Sequence, residues 1–259
     1  MSDDDDEARR FAVEHAHYDE DLPFWRAAAA RAGSPVLDLG AATGRVAIPL
    51  ARDGHEVWAL DRSGAMLAEL ARRLEREPPA VRERVRLVRG YLAELRLPGA
   101  FALVIVAMNT LQVLTEPADR LACLRGVREH LADGGELALD VGLPDADEIV
   151  ATMGVERSAG THRDGAGGPL LVHSGWYDRW EPESQTLEFT LRVEERRSGA
   201  AGPPRVALRR HRVHLFSPEE IAGLLAQAGL EAIEVAGDFD GSPLRPGCER
   251  QVYRCRAAS

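Results

Sequence analysis

The stretch "SPVLDLGAATGRVAIPLARDGHEVWALDRS", residues 34–63, decides the fold. Val36, Leu37 and Leu39 form a short apolar run of the kind that makes a strand buried on both faces. It ends in a glycine turn at Gly40–Gly44, and a helix-like run follows over residues 44–52. A second apolar run, 57–60, then stops at an acid, Asp61. Strand, glycine turn, helix, strand and acid are half of a nucleotide-binding α/β unit. The turn lets a ligand approach the backbone, and the helix start offers unpaired N–H groups. The acid, 21 residues after Gly40, can accept both hydroxyls of a ribose.

The same alternation continues outward. A helix is expected over 63–76 with Ser63 as its cap, then a strand at 85–88 and the fully apolar "ALVIVA" at 102–107. A helix at 120–131 and a strand at 136–141 follow. Upstream, residues 7–31 read as helical with an interruption near Pro23, and the four aspartates before them as a frayed, solvated tail or as charges that favour the following helix through its dipole. Alternating units of this size predict a doubly wound parallel sheet with helices on both faces.

After Pro144 the rhythm changes. Residues 161–168 read as a glycine-rich loop, and extended runs are expected at 171–180, 186–196 and 205–215. "TLEFTLRVEE" alternates apolar and polar residues, as a one-sided antiparallel strand does. "RVALRRHRVH" is read as a strand with outward arginines. "SPEEIAGLLAQAGL" predicts a helix capped by Ser217, and strands at 232–235 and 249–256 close the chain.

The 259 residues fit one core domain with an insertion, and the formal net charge of −10 argues against a phosphate-backbone partner. The three cysteines, Cys123, Cys248 and Cys255, show neither a disulfide framework nor zinc spacing, and no metal is expected. No apolar run reaches the ~18 residues of a membrane helix. The acidic start is unlike a signal peptide, so a cytoplasmic protein is expected, monomeric or homodimeric.

Counted from Gly40, the dinucleotide fingerprint would require glycines where Ala42 and Arg45 stand, which disfavours a pyrophosphate and an NAD-linked oxidoreductase. Asp38, at the mouth of the turn, suits a ligand bearing an ammonium group.

In order and spacing, "VLDLGAATGR", "EVWALDRSGAML", "VRLVRGYL", "FALVIVAMNTLQVL" and "LADGGELALDV" resemble the class I S-adenosylmethionine-dependent methyltransferases, bacterial small-molecule branch. The resemblance implies a Rossmann-like, seven-stranded, mostly parallel sheet with a small inserted antiparallel sheet. Its parts would be a helical lid segment (1–33), a cofactor-binding core (34–145 and 216–259) and a substrate cap (146–215). It implies S-adenosylmethionine as cofactor and S-adenosylhomocysteine as product. Asp38, Gly40, Ala41, Ala42, Gly44 and Arg45 would hold the methionine part, Asp61 the ribose, and Arg62, Met66, Gly90, Tyr91 and Leu92 the adenine. Met108 and Asn109 would lie beside the methyl group. Many relatives have a glycine where Ala42 stands and an acid where Tyr91 stands.

Tyr18 is a candidate lid over the cofactor, or simply pins the N-terminal segment. Tyr18, His17 and His211 are candidate catalytic groups. Trp25, Asn109, Gln112, Trp176, Trp180 and His211 are candidate acceptor contacts, the two inserted tryptophans alternatively being core of their own sheet. The expected activity is methyl transfer to an O or N atom of a small molecule. The alternative is a non-methylating binder of the same fold, a cyclase or a regulatory protein.

Overall fold

The computed structural model describes residues 3–165, 168–196 and 202–258. Helices α1 (Asp3–Glu14) and α2 (Leu22–Ala32) precede the core, which runs β1 (Val36–Leu39), α3 (Ala47–Arg52), β2 (Val57–Asp61), α4 (Gly64–Leu74), α5 (Pro79–Arg82) and β3 (Val85–Arg89). It continues with β4 (Phe101–Val106), α6 (Pro117–His130) and β5 (Leu131–Gly142). Next come α7 (Ala146–Ala151) and the inserted strands β6 (Arg157–Arg163), β7 (Leu170–Glu181), β8 (Thr186–Arg196) and β9 (Arg205–His214). Helix α8 (Pro218–Gln227), β10 (Leu230–Ala236) and β11 (Arg250–Ala257) complete the core.

The large sheet has seven strands in the order β10-β11-β5-β4-β1-β2-β3. β1 through β5 pair in parallel, and β11 runs antiparallel to β5. The cause is visible in the strands. β1 is buried at every position, and β4 at five of six, because helices cover both faces. Alternate residues feed two cores. Leu37, Leu39, Val104 and Val106 meet α6 and α8 residues such as Leu124, Val127 and Leu225. Val36, Val57, Leu103 and Ile105 meet Trp25, Leu50 and Leu70 from α2, α3 and α4. Each fully buried Leu or Ile contributes roughly 1.5–3 kcal/mol relative to exposure. Ser63 and Ser217 cap α4 and α8 by accepting from the amides of Met66 and Glu220.

Four sequence expectations need correction. The aspartates are not a frayed tail: α1 begins at Asp3, and although Asp4 and Asp5 are exposed, Asp6 is buried and paired with Arg205 of β9 at 2.8 Å. The N-terminal helices break over residues 15–21, ahead of Pro23, which sits in the first turn of α2, where a missing N–H costs nothing. Residues 157–163 form a fourth inserted strand, where the glycine and polar residues mask any alternation. The arginines of β9 are not all outward. Arg205 pairs with Asp6, and the Arg209 side chain is only 9% exposed.

The inserted sheet, in order β6-β7-β8-β9, is antiparallel throughout. Helix α1 is clasped to it by Arg9 with Asp164 (2.5 Å) and Glu195 (3.0 Å), and by Glu14 with His173 (3.3 Å). His214 ties the end of β9 to α8 through Glu220 at 2.7 Å.

Candidate active site

The glycine turn leaves β1 at the carboxyl edge of the sheet. Gly40 (φ 76°) and Gly44 (φ 82°) are left-handed, and a Cβ on them would come within 2.5 Å of Thr110 and 2.2 Å of Leu70. Only glycine fits both constraints. Ala42 is left-handed too, at φ 45°, a conformation costing roughly 1 kcal/mol for alanine. Its N–H donates to Asp61 Oδ2 at 2.9 Å, which holds it there. Ala42→Gly is therefore expected to raise stability by up to ~1 kcal/mol, less the unfolded chain's entropy gain, in denaturant titration. A loss above 1 kcal/mol would contradict this account of the turn.

The amides of Gly40 and Ala41 donate to Leu60 O (2.8 and 3.0 Å), and that of Gly44 to Ala41 O (2.8 Å). With Ala42 also engaged, the turn offers no row of free N–H groups for a pyrophosphate. What it offers is carboxylate. Asp61 ends β2, and its Oδ1 accepts from Ser63 N at 2.8 Å. Each of its oxygens has lone-pair capacity left for a hydroxyl. Asp38 is 2% exposed, and its Oδ2 has no partner. Burial pushes its pKa up to about 7, Arg45 opposes, and Asp61 and Asp21 add to the rise.

The N-terminal segment closes on this turn through charge. Arg45 grips Asp21 with Nη1–Oδ1 at 2.5 Å and Nη2–Oδ2 at 2.7 Å. Asp21 also accepts from Trp25 Nε1 at 2.7 Å. The Arg45 guanidinium lies 4.9 Å from the Tyr18 ring centre, and the Tyr18 hydroxyl accepts from Arg250 Nη1 at 3.0 Å. Tyr18 is thus held over the turn from both sides. His17 is exposed.

β4 ends in two successive left-handed residues, Met108 (φ 58°) and Asn109 (φ 61°). Strain of this kind persists where the surroundings enforce it. The buried carboxyl of Asp140 does so by accepting from Met108 N at 2.6 Å and from the Asn109 backbone. Burial also pushes the Asp140 pKa up to about 7. Asn109 is exposed at the end of the strand, free to meet a ligand.

Other sequence candidates are placed differently. Gln112 is 3% exposed and both ends of its amide are spent on Gly142, donating to its carbonyl at 3.3 Å and accepting from its N–H at 3.2 Å. Trp25 is fully buried against Phe24 and Phe239, so it packs α2 and does not face the cleft. The Leu92 side chain lies in the core. Met66 is half-buried, Arg62 is exposed, and a Cβ on Gly90 would stand 3.2 Å from Leu60. The Tyr91 hydroxyl donates to Asp119 Oδ2 at 2.7 Å, which brings a carboxylate to the place where Tyr91 itself lacks one. Trp176 lines a groove of the inserted sheet, and Trp180 stands opposite Leu187, one of that groove's residues. His211 stacks on Phe189 with ring centres 4.9 Å apart. Asp21, Asp119, Asp140 and Arg250 were not legible beforehand, because only the fold brings them to the site.

These residues fit S-adenosylmethionine: an unsatisfied buried carboxyl for an ammonium, an acid with spare acceptor capacity for a ribose, and glycines that admit close approach. Among the described residues, no group of three or more His, Cys, Asp or Glu could hold a metal ion. No helix among them is long and apolar enough to cross a membrane.

A cation held by Asp38 requires the ionised carboxylate, whose pKa without a ligand is about 7. Affinity for S-adenosylmethionine is expected to weaken as pH falls below 7, by up to about tenfold per unit, and to level off above it. Calorimetric titration between pH 6 and 8 reads this directly, and a flat profile would contradict the assignment. For stability the sign is opposite. Raised above its unfolded value, this carboxyl favours the folded chain at low pH, and that contribution is lost as pH rises toward 7.

The architecture just described is that of a class I methyltransferase. Residues 36–135 match the family described as "Methyltransferase domain". A curated relative, cypemycin N-terminal methyltransferase of a Streptomyces species, is 33% identical over 134 residues, which is 48% of this chain and 52% of the relative. The match thus spans about half the length of that protein. The solved CcbJ methyltransferase of Streptomyces caelestis is 29% identical with a TM-score of 0.74, covering 92% of this chain and 90% of its own. The glycopeptide N-methyltransferase MtfA, solved with S-adenosylhomocysteine, is 26% identical with a TM-score of 0.62, covering 91% and 86%. Residues 36–135 match the methyltransferase domain, and the fold over nearly the whole chain is that of the class I S-adenosylmethionine-dependent methyltransferases.

Proposed function

We propose that this protein transfers the methyl group of S-adenosylmethionine to an O or N atom of a small-molecule or peptide acceptor, with nitrogen the better candidate. The observation that carries the reading is the meeting of Asp38, with its unsatisfied Oδ2, and Asp61 around a glycine turn whose Gly40, Ala41, Ala42 and Gly44 amides are already engaged. A neighbour named as a glycopeptide N-methyltransferase and a relative named as an N-terminal methyltransferase support nitrogen.

The cofactor, when bound, supplies a methyl group on a sulfonium that leaves as a neutral thioether. The protein's work is then to orient the nucleophile and exclude water. Tyr18, fixed by Arg45 and Arg250, would cover the site, and Asn109 would meet the acceptor. A neutral amine attacks with its lone pair and sheds its proton afterwards, so no strong base is required.

In this reading residues 1–33 form the lid, residues 34–145 and 216–259 the cofactor core, and residues 146–215 the acceptor cap. The net charge of −10 supports a reaction without nucleic acid. The test is to incubate the protein with S-adenosylmethionine and a panel of amines (amino sugars, amino acids, peptide N-termini) and alcohols. Formation of S-adenosylhomocysteine and a product 14 mass units heavier, roughly one CH₂, is the expected result. Tight cofactor binding without turnover on any acceptor class would favour the non-methylating reading.

A further inference from the structure

Strand β4 finishes on a clamped piece of backbone. Met108 and Asn109 are left-handed in succession, at φ 58° and 61°. Asparagine visits that region far more readily than methionine does. A tight turn follows at Thr110–Val113. Thr110 closes it by donating from N and Oγ1 to Ala107 O, at 3.3 and 2.7 Å. The Thr110 methyl group stands 2.5 Å from where a Cβ on Gly40 would be, so this turn lies directly against the glycine turn of the cofactor site. Gln112 N donates to Asn109 O at 2.9 Å, and the Gln112 amide is tied to Gly142 at the end of β5. Between these anchors the Asn109 carboxamide is exposed, its Oδ1 lying 3.4 Å from where a Cβ on Gly142 would be.

One side chain from the neighbouring strand holds the left-handed pair. Asp140 lies on β5, next to β4 in the sheet, and is 3% exposed. Its carboxyl accepts from Met108 N at 2.6 Å and from the Asn109 backbone. Both bonds are charge-assisted when the carboxyl is ionised, and both weaken when it takes a proton. The charged groups that face it are Asp21, ahead of α2, and Arg250 on β11. Arg250 also donates to the Tyr18 hydroxyl, so the same carboxyl is within reach of the N-terminal segment. Burial, with Asp21, raises the Asp140 pKa to about 7 against the two amides and Arg250. A buried carboxyl is costly where only space must be filled, since an apolar side chain would do. An acceptor at this position can hold two backbone N–H groups in a conformation that methionine avoids.

Resting on the methyltransferase reading above, we propose that Asp140 is a positioning residue for methyl transfer: by clamping the Met108–Asn109 pair it fixes the Asn109 carboxamide beside the cofactor turn, where that amide receives an amine acceptor. The Asn109 Oδ1 accepts from an N–H of the amine and leaves its lone pair free to react. Without the clamp, Met108 relaxes toward the ordinary backbone regions and carries Asn109 out of place.

The test uses the full chain saturated with S-adenosylhomocysteine and reads Met108 and Asn109 by NMR. The Met108 amide proton is expected far downfield at pH 8 and should titrate upfield as the pH falls to 6. Asp140→Asn should abolish that titration, because its amide oxygen still accepts one bond but carries no charge. Asp140→Ala should move the Met108 and Asn109 carbon shifts out of the left-handed pattern. On the amine of the panel that is methylated fastest, Asp140→Asn should lower kcat/KM for the acceptor at least tenfold at pH 8, with the Kd of S-adenosylhomocysteine within twofold of wild type. The ratio of wild type to variant should approach one as the pH falls to 6, where the wild-type carboxyl is itself protonated. A merely structural role would lower the Tm and leave that ratio unchanged with pH. A Met108 amide that does not titrate, or an Asp140→Asn variant with wild-type kcat/KM at pH 8, overturns the proposal, and turnover of alcohols alone overturns the amine assignment. The wild-type titration and the asparagine variant carry the test even where Asp140→Ala fails to fold. A wild-type chain that titrates at Met108 yet does not bind S-adenosylhomocysteine, or turns over no acceptor, would instead strike the methyltransferase reading.

Discussion

Asp61→Ala is expected to weaken S-adenosylmethionine binding by at least ~2 kcal/mol, about a thirtyfold rise in Kd. The carboxylate serves two tasks. Its Oδ2 holds the amide of left-handed Ala42, and its Oδ1 holds Ser63 N at the start of α4. Its remaining lone pairs are the acceptors offered to the ribose hydroxyls. Alanine removes the ligand's acceptor and releases the turn at once. Asp61→Asn separates the two effects, since its amide oxygen can still accept one backbone bond while the second acceptor becomes a donor. Calorimetry gives the Kd and thermal unfolding gives the structural share. A lowered Tm with an unchanged Kd would mean that Asp61 only shapes the turn, and that the ribose lies elsewhere.

Arg45→Ala carries the largest expected loss of stability, about 3–5 kcal/mol. Asp21 is wholly buried, and Arg45 is its bidentate partner. Arg45 is also the positive charge that opposes the rise in the Asp38 pKa. Its removal strands one buried carboxylate and drives a second toward its protonated form. In a domain of this size the Tm should fall by roughly 10 °C. Arg45→Lys keeps the charge but not the fork, so it should lie between wild type and alanine. Adding Asp21→Asn to Arg45→Ala should recover part of the loss, because the stranded charge is gone. A loss under 1 kcal/mol in the single variant would show that the pair is not what closes the N-terminal segment on the turn.

How far the sequence could be read depended on whether a feature was local. The β1–turn–β2 unit was legible because its strands are continuous apolar runs and its turn needs glycine at fixed places. Ser63 and Ser217 were legible as caps for the same reason: a cap and its helix are neighbours in the chain. The charged start of α1 was not. Asp6 is buried because Arg205, far along the chain, faces it, and no local pattern encodes that. Strand β6 was missed because Gly160 and polar residues interrupt alternation, and its place comes from pairing with β7. Within the site, Asp38, Asp61 and the glycines could be located from spacing. Trp25 and Gln112 have side chains suited to a ligand, yet one is consumed by packing and the other by the backbone of Gly142. Of the carboxylates that complete the site, Asp21 and Asp119 sit in segments without a motif and Asp140 lies within "LADGGELALDV" with no local mark of its role, so only tertiary structure brings them to the carboxyl edge.

Calorimetric titration of the protein with S-adenosylmethionine and S-adenosylhomocysteine, with NAD as control, tests the central claim most directly. Dissociation constants on the order of micromolar for the first two, and no heat with NAD, are the predicted result. Binding of NAD, or no binding of either methionine derivative, would contradict it.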